Sequence, residues 1–202
     1  GRAAKKALQR VTDLLRAGAT WVADVDFQSY FDSIPHAALS ALVRSRIADG
    51  RILALVEVLL KQPVQEARSV TIPERGTAQG SALSALLANL YLHALDQEMA
   101  SSGWEMTRYA DDFVIQCHTE EDAQRALAQV RRWSAQAGLT LHPTKTRVVK
   151  ATPDAGFDFL GFHLRMQRED PKNPRRWPRQ KSVVKLHAAI SAQTHRTSGC
   201  SM

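Results

Sequence analysis

Apolar and polar positions alternate along this chain with two different periods. Residues 21–27, Trp-Val-Ala-Asp-Val-Asp-Phe, alternate apolar with acidic side chains and are rich in strand formers, which predicts a strand with Asp24 and Asp26 on one face. From Pro35, whose fixed φ suits a first helical turn, Leu39, Leu42, Val43 and Ile47 recur at helical spacing, and Asp49-Gly50 is expected to end that helix. A second short helix is expected from Ile52 to about Lys61, stopped by Pro63. Residues 67–73 read as another strand. It leads through Glu74-Arg75-Gly76-Thr77-Ala78-Gln79-Gly80 into a long helix with Leu83, Leu86, Leu87, Leu90 and Ala94 on one side.

Two short strands, about 105–109 and 113–117, flank Ala110-Asp111-Asp112 and predict a hairpin with two carboxylates at its tip. Thr119, with Asp122 three residues on, approximates a capping box for the next helix. Leu127, Val130 and Ala137 form that helix's expected core face, and Gly138 its stop. Strands at about 146–150 and 157–164 follow. The order βααβαββαββ predicts an α+β fold, a sheet with helices on one face.

At 202 residues and 44% hydrophobic, the chain can build one domain with a proper core. No apolar run approaches the roughly 18 residues of a membrane helix, so no membrane partner is expected and a cytoplasmic protein is. Cys117 and Cys200 stand in no CxxC pair, and the seven histidines form no HExxH, which leaves zinc sites and a disulfide framework without support. Charge changes the picture more. Between Arg165 and Lys185 lie eight lysines and arginines against Glu169 and Asp170, so +6 of the chain's net +7 falls in one stretch. That stretch suits a polyanion such as nucleic acid, or is a solvated basic linker; composition leaves both open.

The acidic positions carry the candidate chemistry. Acidic residues are disfavoured in strands, so Asp24 and Asp26 on one short strand call for a reason. Clustered carboxylates repel one another unless a cation neutralises them, and hard oxygen ligands suit Mg²⁺ or Mn²⁺. Two such ions about 3.5–4 Å apart can drive an in-line phosphoryl transfer. The alternative is plainer: Asp-Asp favours turns, and a strand aspartate can simply face water.

Tyr109-Ala110-Asp111-Asp112-Phe113, Asp26-Phe27-Gln28-Ser29-Tyr30-Phe31-Asp32 and Gly76-Thr77-Ala78-Gln79-Gly80 together resemble the reverse transcriptases encoded by group II introns. The resemblance runs in order over nearly the whole chain. Arg2 onward is similar to the tail of the family's second block, Pro143-Thr144-Lys145-Thr146 to the block after the catalytic hairpin, and Phe157-Asp158-Phe159-Leu160-Gly161-Phe162 to the primer grip. It implies a polymerase palm over residues 1–164, an antiparallel sheet with a ferredoxin-like core. Residues 165–202 would be a basic segment leading toward a thumb and maturase domain, with the fingers blocks lying before Gly1.

The resemblance also implies roles. Asp26 and Asp111 match the metal-binding carboxylates, Asp112 the supporting second aspartate of the hairpin, and the Phe27 carbonyl a further ligand of two Mg²⁺ or Mn²⁺ ions. Phe31 matches a steric gate against a ribose 2′-hydroxyl, or is a core aromatic. Gln79 and Gly80 match a loop contacting the incoming nucleotide and template, or open the following helix. Lys145 matches a proton donor to pyrophosphate, or is a surface charge. Asp24 reads as supporting or structural. Tyr109 is expected to pack beneath the hairpin with its hydroxyl toward the primer end. Arg75 contacts phosphate or is solvated, and Arg175, Arg176 and Arg179 would bind the nucleic acid. The implied partners are an RNA template, a DNA primer, deoxynucleoside triphosphates and group II intron RNA. Ala78, Ser81 and Ala85 depart from the family's usual proline, glycine and proline, which alters loop stiffness.

Overall fold

The computed structural model describes residues 4–66, 69–77, 82–170 and 172–194. At its centre, β1 (Trp21–Val25) lies between β5 (Asp112–Cys117) and β6 (Arg147–Lys150), while β4 (Glu105–Tyr109) forms the outer edge beside β5. All neighbours are antiparallel in the order β4-β5-β1-β6, the strand order of a ferredoxin-like core. The expected α+β fold with an antiparallel sheet is present.

Strand alternation sends side chains to two separate cores. Ala23, Val25, Phe113, Ile115 and Cys117 point to the larger one. This core is closed by α5 (Ala82–Ser101), α6 (Glu120–Gln136), α3 (His36–Arg44) and α4 (Gly50–Leu60), preceded by the short α2 (Tyr30–Ser33). Val22 and Val114 point the other way, onto Leu8, Val11 and Leu15 of α1 (Ala4–Arg16). Phe157, Phe159, Leu164 and Met166 complete this second core, carried by β7 (Phe157–Phe159) and β8 (Phe162–Met166). β7 pairs antiparallel with β8, and β8 with β9 (Pro174–Pro178), after which α7 (Gln180–Gln193) begins. Helices therefore cover both faces, because α1 takes the face expected to be free of them.

Other elements differ in detail. Of the strand expected over 67–73, β3 (Ser69–Thr71) is present, paired with β2 (Val64–Glu66) in a small antiparallel ladder; residues 67–68 lie outside the described residues. Asp49 does not end the Pro35 helix but caps α4, its carboxylate accepting from the Arg51 and Ile52 amides. On α5 the buried side chains are Ser84, Leu87, Ala88, Tyr91, Leu92, Leu95 and Met99, whereas Leu86 and Ala94 are exposed. The stripe is rotated from the expected one. The strand expected over 157–164 is broken by a turn at Leu160-Gly161, and its second half runs to Met166, past the expected boundary at residue 164. No helix among the described residues is long and apolar enough to cross a membrane.

Candidate active site

Asp26 follows β1 directly, and backbone bonds pin it to the segment before β6. Its carbonyl accepts from the His142 amide at 2.8 Å and the Thr146 hydroxyl at 3.2 Å. Phe27 pairs in a single antiparallel bridge with Leu141. Its ring is buried against Tyr30 and Phe113, which fixes the backbone whose carbonyl the family resemblance implies as a ligand.

The hairpin brings the other two carboxylates alongside. Tyr109 pairs with Asp112, so Ala110 and Asp111 are the two residues of the turn. Ala110 adopts φ 57°, a left-handed conformation that costs a residue with a Cβ roughly 1–2 kcal/mol. A second tight turn approaches from the opposite face: Leu160 (φ 49°) and Gly161 (φ 79°) join β7 to β8, the paired positive φ of a type I′ hairpin. There the Leu160 amide donates to Asp112 Oδ2 at 2.9 Å.

Asp24, Asp26, Asp111, Asp112, Lys145 and Arg179 thereby line one cavity of about 530 Å³. Thr144, Arg147, Asp158 and Lys181 share its wall. Lys145 Nζ donates to Asp26 Oδ2 at 2.8 Å. Burial raises the Asp112 pKa; the Leu160 amide opposes that, and the neighbouring Asp111 and Asp26 charges add to it. Asp24 is pushed up to about 7, chiefly by burial, partly offset by Arg147 and reinforced by Asp112, Asp158 and Asp26.

Among the described residues no group of three or more His, Cys, Asp or Glu side chains forms a ready metal cage. The donor chemistry still suits a hard divalent cation. Asp26, Asp111 and Asp112 share one wall, the charges of Asp111 and Asp26 add to the burial that raises Asp112, and the Lys145 ammonium already stands as a cation against Asp26.

The remaining sequence candidates are more dispersed. Phe31 is half-buried, packed on the larger core and edge-on to Tyr30 with centroids 5.6 Å apart, and does not line the cavity. Tyr109, expected beneath the hairpin, is 42% exposed at the end of the edge strand β4. Arg75 is exposed but not merely solvated, since its Nη1 donates to the Gly138 carbonyl at 3.1 Å and the Ser33 carbonyl at 3.4 Å. Arg175 and Arg176 are exposed on β9, and Arg165 stacks over the Trp177 ring at 4.9 Å. Arg179 stands apart from them, at the cavity and 4.0 Å from Asp158. Gln79 and Gly80 lie outside the described residues.

Sequence reasoning missed Asp158 and Arg147 as parts of this wall. Asp158 carries the same signal as Asp24, an acid inside an apolar strand, here Phe157-Asp158-Phe159. Arg147 has no such mark.

Known proteins match this chain along most of its length. The Reverse transcriptase (RNA-dependent DNA polymerase) family profile matches residues 3–164. Group II intron-encoded protein LtrA of Lactococcus lactis subsp. cremoris is 39% identical over 80 residues, 40% of this chain and 13% of its own length. An uncharacterized 91 kDa protein in the cob intron of Schizosaccharomyces pombe is 27% identical across 81% of this chain and 27% of its own. Protein YkfC of Escherichia coli K12 is also 27% identical, across 79% of this chain and 50% of its own. The chain thus spans half or less of the length of these curated relatives. Among solved structures, truncated apo telomerase from Candida tropicalis superposes with a TM-score of 0.64 at 15% identity, covering 87% of this chain and 39% of its own. Candida albicans telomerase, in complex with a TWJ fragment of telomeric RNA, gives 0.64 at 14%, covering 95% and 39%. At such identities the likeness is one of fold.

Proposed function

Since the chain belongs to the reverse transcriptase (RNA-dependent DNA polymerase) family, and to its group II intron type, we propose that residues 1–164 are a polymerase palm that adds deoxynucleotides to a DNA primer on an RNA template. The supporting observation is the meeting of Asp26, Asp111 and Asp112 in one cavity although strand and hairpin lie far apart in sequence.

In the proposed reaction the primer 3′-hydroxyl gives its proton to solvent and its oxygen bonds to the α-phosphorus of the incoming nucleotide as the bond to pyrophosphate breaks. Two Mg²⁺ or Mn²⁺ ions, held by Asp26, Asp111 and the Phe27 carbonyl, would favour the primer alkoxide and neutralise charge on the leaving group. Asp112, fixed by the Leu160 amide, keeps the hairpin carboxylates in place. Lys145 leaves Asp26 to hand a proton to the departing pyrophosphate. Tyr109, exposed at the hairpin tip, meets the primer end. On the strength of the family motifs, Phe31 faces the sugar, and Gln79 and Gly80 contact the nucleotide and template. Arg75 meets backbone phosphate, as do Arg175, Arg176 and Arg179 of the basic segment, where group II intron RNA is the natural further partner.

Primer extension on an RNA template is the test. Asp26→Asn and Asp111→Asn are expected to abolish Mg²⁺-dependent extension while leaving RNA binding intact; extension equal to the parent's would overturn the proposal. A nucleic-acid-binding module without turnover is the competing reading. It is favoured by the Lys145–Asp26 ion pair, which covers a carboxylate the metal needs. That reading expects RNA binding and no extension at any Mg²⁺ concentration.

A further inference from the structure

We propose that Arg108 is a positioning residue that sets the Ala110-Asp111 turn and, through it, the affinity of the carboxylate cavity for divalent cations. The inference rests on the metal reading above. Arg108 is the penultimate residue of β4, and its side chain is 12% exposed. Its Nε donates to Asp96 Oδ1 of α5 at 2.7 Å, and its Nη2 donates to Asp96 Oδ2. Its Nη1 bridges Asn89 Oδ1 at 2.9 Å and the Ala110 carbonyl at 2.7 Å. One guanidinium therefore ties the turn residue to two positions on α5.

The target of that fourth bond is what separates this group from an ordinary ion pair. Ala110 is held at φ 57°, where an alanine does not rest unaided, and the next residue carries the Asp111 carboxylate into the cavity. From the other face the Leu160 amide holds Asp112. The hairpin tip is thus gripped on both sides, by α5 through Arg108 and by the β7–β8 turn through Leu160. Arg108 itself lines a groove bounded by α1, α5 and β4, not the carboxylate cavity, so it acts on the site only through the turn. A lysine can meet Asp96 with its charge. It lacks the planar fork needed to hold the carboxylate and the Ala110 carbonyl together.

The test compares the parent chain with Arg108→Lys, Arg108→Gln and Asp111→Asn. Mn²⁺ affinity is read by electron paramagnetic resonance, and turn order by ¹⁵N relaxation of the Ala110 and Asp111 amides. Arg108→Lys keeps the ion pair and guards against simple unfolding, which thermal melts report separately. It is expected to melt near the parent, to show raised mobility at the two turn amides, and to bind Mn²⁺ about tenfold more weakly, the equivalent of ~1.4 kcal/mol. Arg108→Gln is expected to lose at least as much affinity. Parent-like Mn²⁺ affinity in both Arg108 variants, with affinity lost in Asp111→Asn, would overturn the clamp and leave the metal reading standing. Parent-like affinity in Asp111→Asn would overturn the metal reading itself, and with it the clamp's role in cation binding. Unchanged relaxation at Ala110 and Asp111 in Arg108→Lys would likewise sink the clamp.

Discussion

Asp24 illustrates how far a single carboxylate's chemistry depends on what packs around it. In sequence it is the twin of Asp26, two positions away on an apolar strand. In the structure its side chain is 18% exposed, with Arg147 Nε 3.9 Å from its carboxylate, and Asp112, Asp158 and Asp26 add repulsion to burial. Its partners come from strands far along the chain, so no local pattern separates it from Asp26, and a sequence reading as a supporting residue can go no further. The unfolded chain releases this proton near pH 4 and the folded chain near 7. Between those values the folded state holds the extra proton, so the Asp24 contribution falls as pH rises across that window and levels off above about 7. Asp24→Asn should therefore flatten the stability profile between about pH 4 and 7. At about 1.36 kcal/mol per tenfold change in proton affinity, the variant should gain roughly 2–4 kcal/mol at pH 8.5. Urea unfolding across that range is the check, and a variant no more stable than the parent at high pH would show that Arg147 compensates the charge fully.

The elements legible in the sequence are those specified by their own residues. The hairpin over 105–117 has flanks rich in strand formers, among them Thr107, Tyr109, Phe113, Val114 and Ile115, around a short turn, and it forms with Tyr109 opposite Asp112. The start of α6 is equally local: Thr119 Oγ1 accepts from the Asp122 amide at 3.1 Å, as the spacing implies. Thr119→Ala should lower the melting temperature by roughly 2–4 °C, the effect of losing about one such cap in a domain of this size. A scan showing no shift would mean that α6 is held by tertiary packing alone. The face of α5 is harder to read because that helix is apolar nearly all the way round, so its own sequence does not say which side meets the sheet. The first helix, absent from the expected order of elements, is legible in its own residues: Leu8, Val11, Thr12 and Leu15 recur at helical spacing, opposite a face that carries Lys6 and Arg10. The Leu160-Gly161 turn is hidden for another reason: a leucine at positive φ carries no turn signal.

Across the whole molecule, the sheet separates two functions. One face builds the larger core; the other carries the second core with α1 and the β7–β9 sheet, and the chain leaving β9 brings Arg179 and Lys181 to the carboxylate cavity. The order of motifs makes the meeting of Asp26 with Asp111 and Asp112 an expectation, but the return of β7 across the sheet, which adds Asp158 and the Leu160 amide, comes only from tertiary pairing. With Arg175 and Arg176 exposed on β9, replacing both by glutamine should weaken RNA binding evenly across sequences. It should also flatten the log–log salt slope by roughly 0.7–0.9 for each phosphate no longer neutralised. An unchanged slope would make β9 a structural strand only. The central claim is that the cavity carboxylates bind the metal ions of a polymerase. It is tested most directly by anomalous diffraction from crystals of this chain soaked with Mn²⁺ and a non-hydrolysable deoxynucleoside triphosphate. Mn²⁺ density is expected at Asp26 and Asp111, with Lys145 Nζ displaced from Asp26. Density absent from the cavity, with the Lys145–Asp26 ion pair intact at saturating Mn²⁺, would contradict the claim.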